Sequence, residues 1–299
     1  MTLKLHNVTK QFGDFTAVDD LSIEIPEKQI FGFLGANGAG KTTTFRMILG
    51  LIEETAGTIT WQDGDIGYDQ SHLIGYLPEE RGLYPKMKVQ DQLVYLAKLR
   101  GMSKSEALKE LDIWLDKFKV PDYKTKKVED LSKGNQQKIQ FISAVLHKPK
   151  LLILDEPFSG LDPINVEMLK KAVVELKEGG TSIVFSSHRM EHVEELCEHL
   201  CILHHGKPVV HGSLKEIKRS FGKKNVRLNA EFDLEFVKDI PGVTKFKEFS
   251  EGCEVQVESE EVSQKIFEAL NGRGFVRTFD LEEPSLNDIF IEKVGDSYE

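Results

Sequence analysis

The chain has 299 residues, 40% hydrophobic and 29% charged, enough to bury a sizeable core and to form one large unit plus a small one. No run approaches the roughly 20 apolar residues that cross a bilayer. The opening stretch MTLKLHNVTKQFG lacks an apolar signal segment, so a cytoplasmic chain is expected, with any membrane work done through a partner. The 39 basic and 49 acidic residues leave a net charge of −10, which disfavours duplex DNA or anionic lipid as a partner but permits a local phosphate site. Cys197, Cys201 and Cys253 are too few for a disulfide framework.

Leu3 and Leu5, then Leu21, Ile23 and Ile25, alternate with polar neighbours and predict β structure across 3–35. The run IFGFLG at 30–35 reads as a buried strand entering a glycine-rich turn. From Lys41 to Gly50 the spacing of Phe45, Ile48 and Leu49 is helical. A strand is expected at 73–77. Residues 89–147 are mostly helical, with Gly101 ending the first helix, a polar loop at PDYKTKKVED, and a last helix from Ser132 to His147 that stops before Pro149. LLILD (151–155) and TSIVFSS (181–187) read as buried parallel strands separated by an amphipathic helix at 163–178. This alternation indicates an α/β core with a parallel sheet. After about residue 220, NVRLNAEFD, CEVQVE and FVRTFDL predict strands, and VSQKIFEALNG predicts a helix closed by Gly272. The expected division is 1–218, with a helical subdomain at about 83–147, and a small α/β unit at 219–299.

Gly35-Ala36-Asn37-Gly38-Ala39-Gly40-Lys41-Thr42 matches GxxxxGK[ST] between a predicted strand and a predicted helix, the context this motif requires. Glycines let the backbone wrap a phosphate closely, and the helix N-terminus adds positive potential. Lys41 supplies a cation for the β- and γ-phosphates, the Thr42 hydroxyl can ligate Mg²⁺, and Thr43 reaches the α-phosphate. With 24 glycines in the chain a chance match is conceivable; the flanking strand and helix make it specific.

Asp155 and Glu156 close the strand LLILD, where α/β proteins bind ligands. Neighbours on a strand point to opposite sides, so the two carboxylates are expected to differ in role. Asp155 fits a Mg²⁺ partner and Glu156 the group that orients and polarises the attacking water.

Further motifs follow in an order that resembles the ATP-binding-cassette (ABC) ATPases, over about residues 1–215. LSKGNQQ (131–137) is similar to the signature loop; Lys133 and Asn135 depart from the family pattern while Ser132, Gly134 and Gln136 are kept. Phe158-Ser159-Gly160-Leu161-Asp162 resembles the D-loop, and Ser187-His188 the switch histidine. Phe12 stands where the family has an aromatic that stacks on adenine. IGYLPEE (74–80) resembles the Q-loop, with Glu79 in place of Gln as a further candidate ligand of Mg²⁺ or water. PSLNDIFIEKVG (284–295) looks like the branch containing sodium-extrusion and drug-resistance export ATPases. The resemblance implies a P-loop NTPase core with an antiparallel β subdomain, a helical subdomain and a C-terminal α/β appendage. It implies ATP and Mg²⁺ as ligands, and catalysis by Glu156 and His188. Ser132, Gly134, Gln136 and Asp162 would complete the nucleotide site of a second subunit in a head-to-tail dimer. A separate membrane-spanning permease would dock near Glu79–Tyr84, at the cytoplasmic face of the membrane. A soluble ABC ATPase acting on ribosomes or DNA is the alternative; it fits less well, because the chain has one phosphate loop and no long coiled-coil insertion before Ser132.

His188, His192, Cys197 and Cys201 form two i, i+4 pairs on a predicted helix, but their spacing matches no standard zinc pattern, and the cysteines read as small buried hydrophobes. Trp61 and Trp114 read as packing residues, and Lys124-Thr125-Lys126-Lys127 as a solvated loop.

Overall fold

In a computed structural model, which describes residues 2–62, 64–66, 68–80 and 82–294, the alternation at the N-terminus becomes a hairpin. Leu3–Phe12 (β1) and Phe15–Ile25 (β2) pair antiparallel, with Leu5 opposite Ile23 and Phe12 opposite Phe15. Ile30–Leu34 (β3) is buried at every position and leads through the glycine-rich turn into Lys41–Ile48 (α1). Ala56–Trp61 (β4) returns antiparallel to β1, and Gly64–Asp65 (β5) extends that sheet to the order β2-β1-β4-β5.

Ile74–Leu77 (β6) precedes the helical segment of Val89–Leu99 (α2), Lys104–Lys117 (α3) and Lys133–Val145 (α4). Ser103 and Glu106 form a reciprocal capping box at the start of α3, satisfying two otherwise orphaned N–H groups. The stretch expected as a loop contains two short 3₁₀ turns, Pro121–Thr125 and Val128–Asp130. Trp114 stacks on Phe118 and meets Phe141 edge-on, so its role is packing between α3 and α4.

Leu151–Leu154 (β7), Pro163–Glu178 (α5), Ser182–Ser187 (β8), Met190–Leu196 (α6), His199–His204 (β9) and Lys207–Ser213 (β10) complete the first unit. Its second sheet has the order β10-β9-β3-β8-β7-β6, with β9, β3, β8, β7 and β6 parallel. One core joins both sheets through α1: Phe33 meets Phe45 edge-on at 5.4 Å, amid Leu5, Val18, Leu21 and Ile48. Burying each such side chain contributes roughly 1.5–3 kcal/mol, which holds the phosphate-loop helix between the sheets. The i, i+4 pairs do not share a helix. His188 precedes α6, Cys197 ends it and Cys201 lies in β9. Both thiols are buried, and burial pushes that of Cys201 up to about 12.

The chain divides into two compact units, Met1–Gly212 and Ser213–Glu299. In the second, Leu214–Ser220 (α7) precedes Lys224–Ala230 (β11), Val243–Phe249 (β12), Gly252–Val257 (β13), Glu260–Ala269 (α8), Val276–Glu282 (β14) and Leu286–Val294 (α9). The sheet order is β12-β13-β11-β14, and Val226, Leu228, Val255, Val257 and Ile266 form its core. The sequence patterning does not reveal β12, because Lys245, Lys247 and Glu248 interrupt its alternation. Ser285 and Asp288 cap α9 reciprocally, and Asn225 ties Asp288 to β11. Gly295, the last residue of the PSLNDIFIEKVG stretch, lies outside the described residues, as does Arg81 within Glu79–Tyr84.

Candidate nucleotide site

The parallel register sets Leu34 beside Ser187 and Leu154 beside Phe185, so the segments leaving β3, β7 and β8 open at one end of the sheet. Gly40 has φ 105°, and a Cβ there would lie 2.6 Å from the Ala17 carbonyl oxygen, so both conformation and space require glycine. Gly40 also occupies the N-cap of α1 with no side-chain cap, which leaves the first-turn N–H groups of Lys41, Thr42 and Thr43 without an intrahelical partner. Such a helix start favours an anion. Lys41 is buried, and its Nζ donates to the carbonyls of Gly35 (2.7 Å) and Ala36 (3.2 Å). Burial holds its pKa below the ordinary lysine range, against the pull of Glu156, Asp155 and Glu79.

Asp155 is buried. Its Oδ2 accepts from the Thr42 hydroxyl at 2.8 Å and its Oδ1 from the Ser186 hydroxyl at 2.6 Å. Glu156 donates its own N–H to that same Ser186 oxygen at 2.9 Å, so one hydroxyl orients both acidic residues. Strand β7 ends at Leu154, and Glu156 has φ 49°; the two carboxylates therefore diverge through a left-handed turn, not through the pleat expected from sequence. Oε2 of Glu156 lies 2.9 Å from Nδ1 of His188, while Oε1 is buried with no hydrogen-bond partner among the described residues. Burial raises the pKa of Glu156 above the ordinary range; His188 and Lys41 lower it, and Glu79 adds to the rise. Ser186 escapes sequence reasoning, although strand alternation from His188 points to it.

A cavity of about 280 Å³ is lined by Phe15, Ala17, Asn37 to Thr43, Glu79, Asp155 and Glu156. It brings together the phosphate loop, Glu79 and the acidic pair. Phe12 is not in its wall: it sits opposite Phe15 across the hairpin tip, half exposed, with Lys10 Nζ 5.1 Å above its ring. His188 reaches this cavity through Glu156, whereas Ser132, Gly134, Gln136 and Asp162 are not in its wall. Ser132 caps α4, accepting from Asn135 N–H at 3.4 Å, and Gln136 donates to the carbonyls of Val128 and Leu131. Asp162 caps α5 by accepting from Asn165 N–H at 3.1 Å. A Cβ at Gly134 would stand 3.6 Å from Leu161, so the signature and D-loop segments adjoin.

Among the described residues, no three His, Cys, Asp or Glu side chains are arranged to hold a metal ion by themselves. Thr42 and Asp155 nevertheless form a hard oxygen pair beside the phosphate loop. That pair fits Mg²⁺, which takes one or two protein oxygens together with substrate phosphates.

A family model described as ABC transporter matches residues 18–159, and one described as ATP-binding protein DrrA1-3-like, C-terminal domain, matches residues 212–294. The chain is 67% identical over 297 residues to the uncharacterized ABC transporter ATP-binding protein YhaQ of Bacillus subtilis (strain 168), covering 99% of this chain and 100% of the relative. It is 37% identical over 236 residues to the bacitracin transport ATP-binding protein BcrA of Bacillus licheniformis, covering 78% of this chain and 74% of that one. The solved structure of an ATP-binding subunit of an ABC transporter matches with a TM-score of 0.70 at 29% identity, covering 74% of this chain and 94% of that chain.

Proposed function

The chain belongs to the ABC transporter family as an ATP-binding subunit, and on that premise we propose that it hydrolyses MgATP to drive export of a small solute through a separate membrane-spanning permease. The observation that carries the chemistry is Glu156. It lines the phosphate-loop cavity, His188 holds one carboxylate oxygen, and the other oxygen is buried without a partner among the described residues. A water between that oxygen and a γ-phosphate would be oriented and polarised for in-line attack. Lys41 and the open N–H groups of α1 bind the phosphates. Thr42 and Asp155 would hold Mg²⁺, with Glu79 at the margin, and the ion would supply positive charge to offset that of the phosphates.

The lining of this cavity lacks Ser132, Gly134 and Asp162, which supports a head-to-tail dimer in which a second subunit supplies them. No helix among the described residues is long and apolar enough to cross a membrane, and the reading assigns that passage to the permease, with this subunit on the cytoplasmic face. We assign the ATP chemistry to residues 1–218 and an accessory role to 219–299. The match of residues 212–294 and the similarity to BcrA support the drug-resistance side of the export branch.

Glu156→Gln should retain ATP binding and lower turnover by about 100- to 10,000-fold; undiminished turnover would remove Glu156 from this role. Affinity purification from detergent-solubilised membranes should recover a polytopic membrane protein in near-equal amount. Recovery only with ribosomes or DNA-processing proteins would overturn transport and leave the ATPase chemistry standing.

A further inference from the structure

Two buried glutamines on α4 reach the loops that carry both candidate acids. Gln137 Nε2 donates at 3.1 Å to the carbonyl of Pro157, the residue after Glu156. Gln140 Nε2 donates to the carbonyls of Pro78 (3.3 Å) and Glu80 (3.0 Å), which flank Glu79 on both sides. The two residues are three apart, hence on one face of the helix.

That face continues as a line of close contacts along β6. A methyl group at Gly75 would collide with the carbonyl of Ala144, and the His147 ring Nε2 lies 3.1 Å from the Ile74 carbonyl. Residues 137, 140 and 144 of α4, with His147 in the turn just past its end, thus grip the loops of Glu156 and Glu79 and the strand leading to Glu79. At the other end, α4 is capped by Ser132, in the signature segment.

Packing alone does not account for amides here. Gln137 is 5% exposed and Gln140 3% exposed, sites where an unbranched apolar side chain of similar length would avoid desolvating a polar group. Oε1 of Gln140 is buried with no partner among the described residues, so the amide sits here with half of its bonding capacity unmet. What the amides do accomplish is directional. They fix two loop backbones to one helix.

We propose that Gln137 and Gln140 are positioning residues that key the loops of Glu156 and Glu79 to α4. A shift of the signature helix and a shift of the two carboxylates in the phosphate cavity then become one movement. This rests on the ATPase reading above. Neither glutamine lines the cavity, so their loss should disturb turnover and leave ATP capture intact.

The test is steady-state ATP hydrolysis by Gln137→Met and Gln140→Met, which keep length and remove the amide donor, each also made in a Glu79→Ala background. The expected result for Gln140→Met is a kcat about tenfold lower, with KM for ATP changed by less than about twofold. In the Glu79→Ala background, Gln140→Met should cost little more, because it acts through that loop. Gln137→Met should show the same kcat-against-KM split but multiply with Glu79→Ala, because it acts through the Glu156 loop. Wild-type kcat in both methionine variants overturns the proposal, and so does a loss carried entirely by KM. If Gln140→Met fails to fold, Gln140→Asn, whose amide is one methylene too short to span both carbonyls, is held to the same expectations. A wild-type protein that does not hydrolyse ATP would overturn the ATPase reading itself, a result distinct from an active enzyme indifferent to these residues.

Discussion

The Thr42 hydroxyl donates a 2.8 Å hydrogen bond to Oδ2 of Asp155, joining the first turn of α1 to the end of β7 across 113 residues of sequence. The bond aligns the two oxygens that would share Mg²⁺. Thr42→Val keeps the volume and removes the hydroxyl. It should weaken MgATP binding by about tenfold or more and leave nucleotide affinity in EDTA nearly unchanged. Equal losses with and without Mg²⁺, in a titration with a fluorescent ATP analogue, would place Thr42 on the phosphate and not on the ion.

Ser186 is fully buried and serves both acidic residues, donating to Asp155 and accepting from the Glu156 N–H. Ser186→Ala leaves a buried N–H and a carboxylate oxygen each short of a partner. The expected cost is about 1–3 kcal/mol of stability together with a fall in kcat. A melting temperature and turnover both at the wild-type value would show that water replaces the hydroxyl without penalty.

The cavity wall contains Phe15, whereas Phe12 carries Lys10 over its ring outside that wall. Phe15→Ala should therefore weaken ATP binding by roughly tenfold while sparing inorganic tripolyphosphate, which has no base to stack. Phe12→Ala should have the smaller effect. The reverse ranking would return the base platform to Phe12, as the family resemblance implies.

His147 is half-buried with its Nε2 against the Ile74 carbonyl, and this burial, with Arg100 and His72 nearby, lowers its pKa to about 4. Against an ordinary histidine pKa near 6.5, the unfolded chain takes up a proton that the folded chain refuses. The associated stability is present above about pH 6.5 and is lost as pH falls toward 4, by about 3 kcal/mol at most. His147→Gln can still donate to Ile74 but does not titrate. The difference in melting temperature between wild type and this variant should shift against wild type between pH 7 and pH 5. A constant difference would mean that His147 titrates normally in the fold.

What the sequence determined by itself is whatever depends on neighbours along the chain. The strand-turn-helix around Gly40 follows from a buried apolar run, glycines suited to positive φ, and a helical spacing that begins at Lys41. The helix Pro163–Glu178 has both its start and its end written locally, in Asp162-Pro163 and in Gly179-Gly180. The alternating strands and helices likewise specified the α/β class. Which distant groups share a bond follows instead from the packed fold. Ser186 reaches both acids because β8 lies beside β7 in a particular register, and Gln140 reaches the Glu79 loop because Gly75 lets α4 settle onto β6. The turn at Glu156 and the choice of Phe15 over Phe12 for the cavity wall are of the same kind. Local preferences act through dihedral angles and side-chain period, which a sequence displays directly. A hydrogen bond between residues far apart in the chain depends on packing that the whole core settles at once.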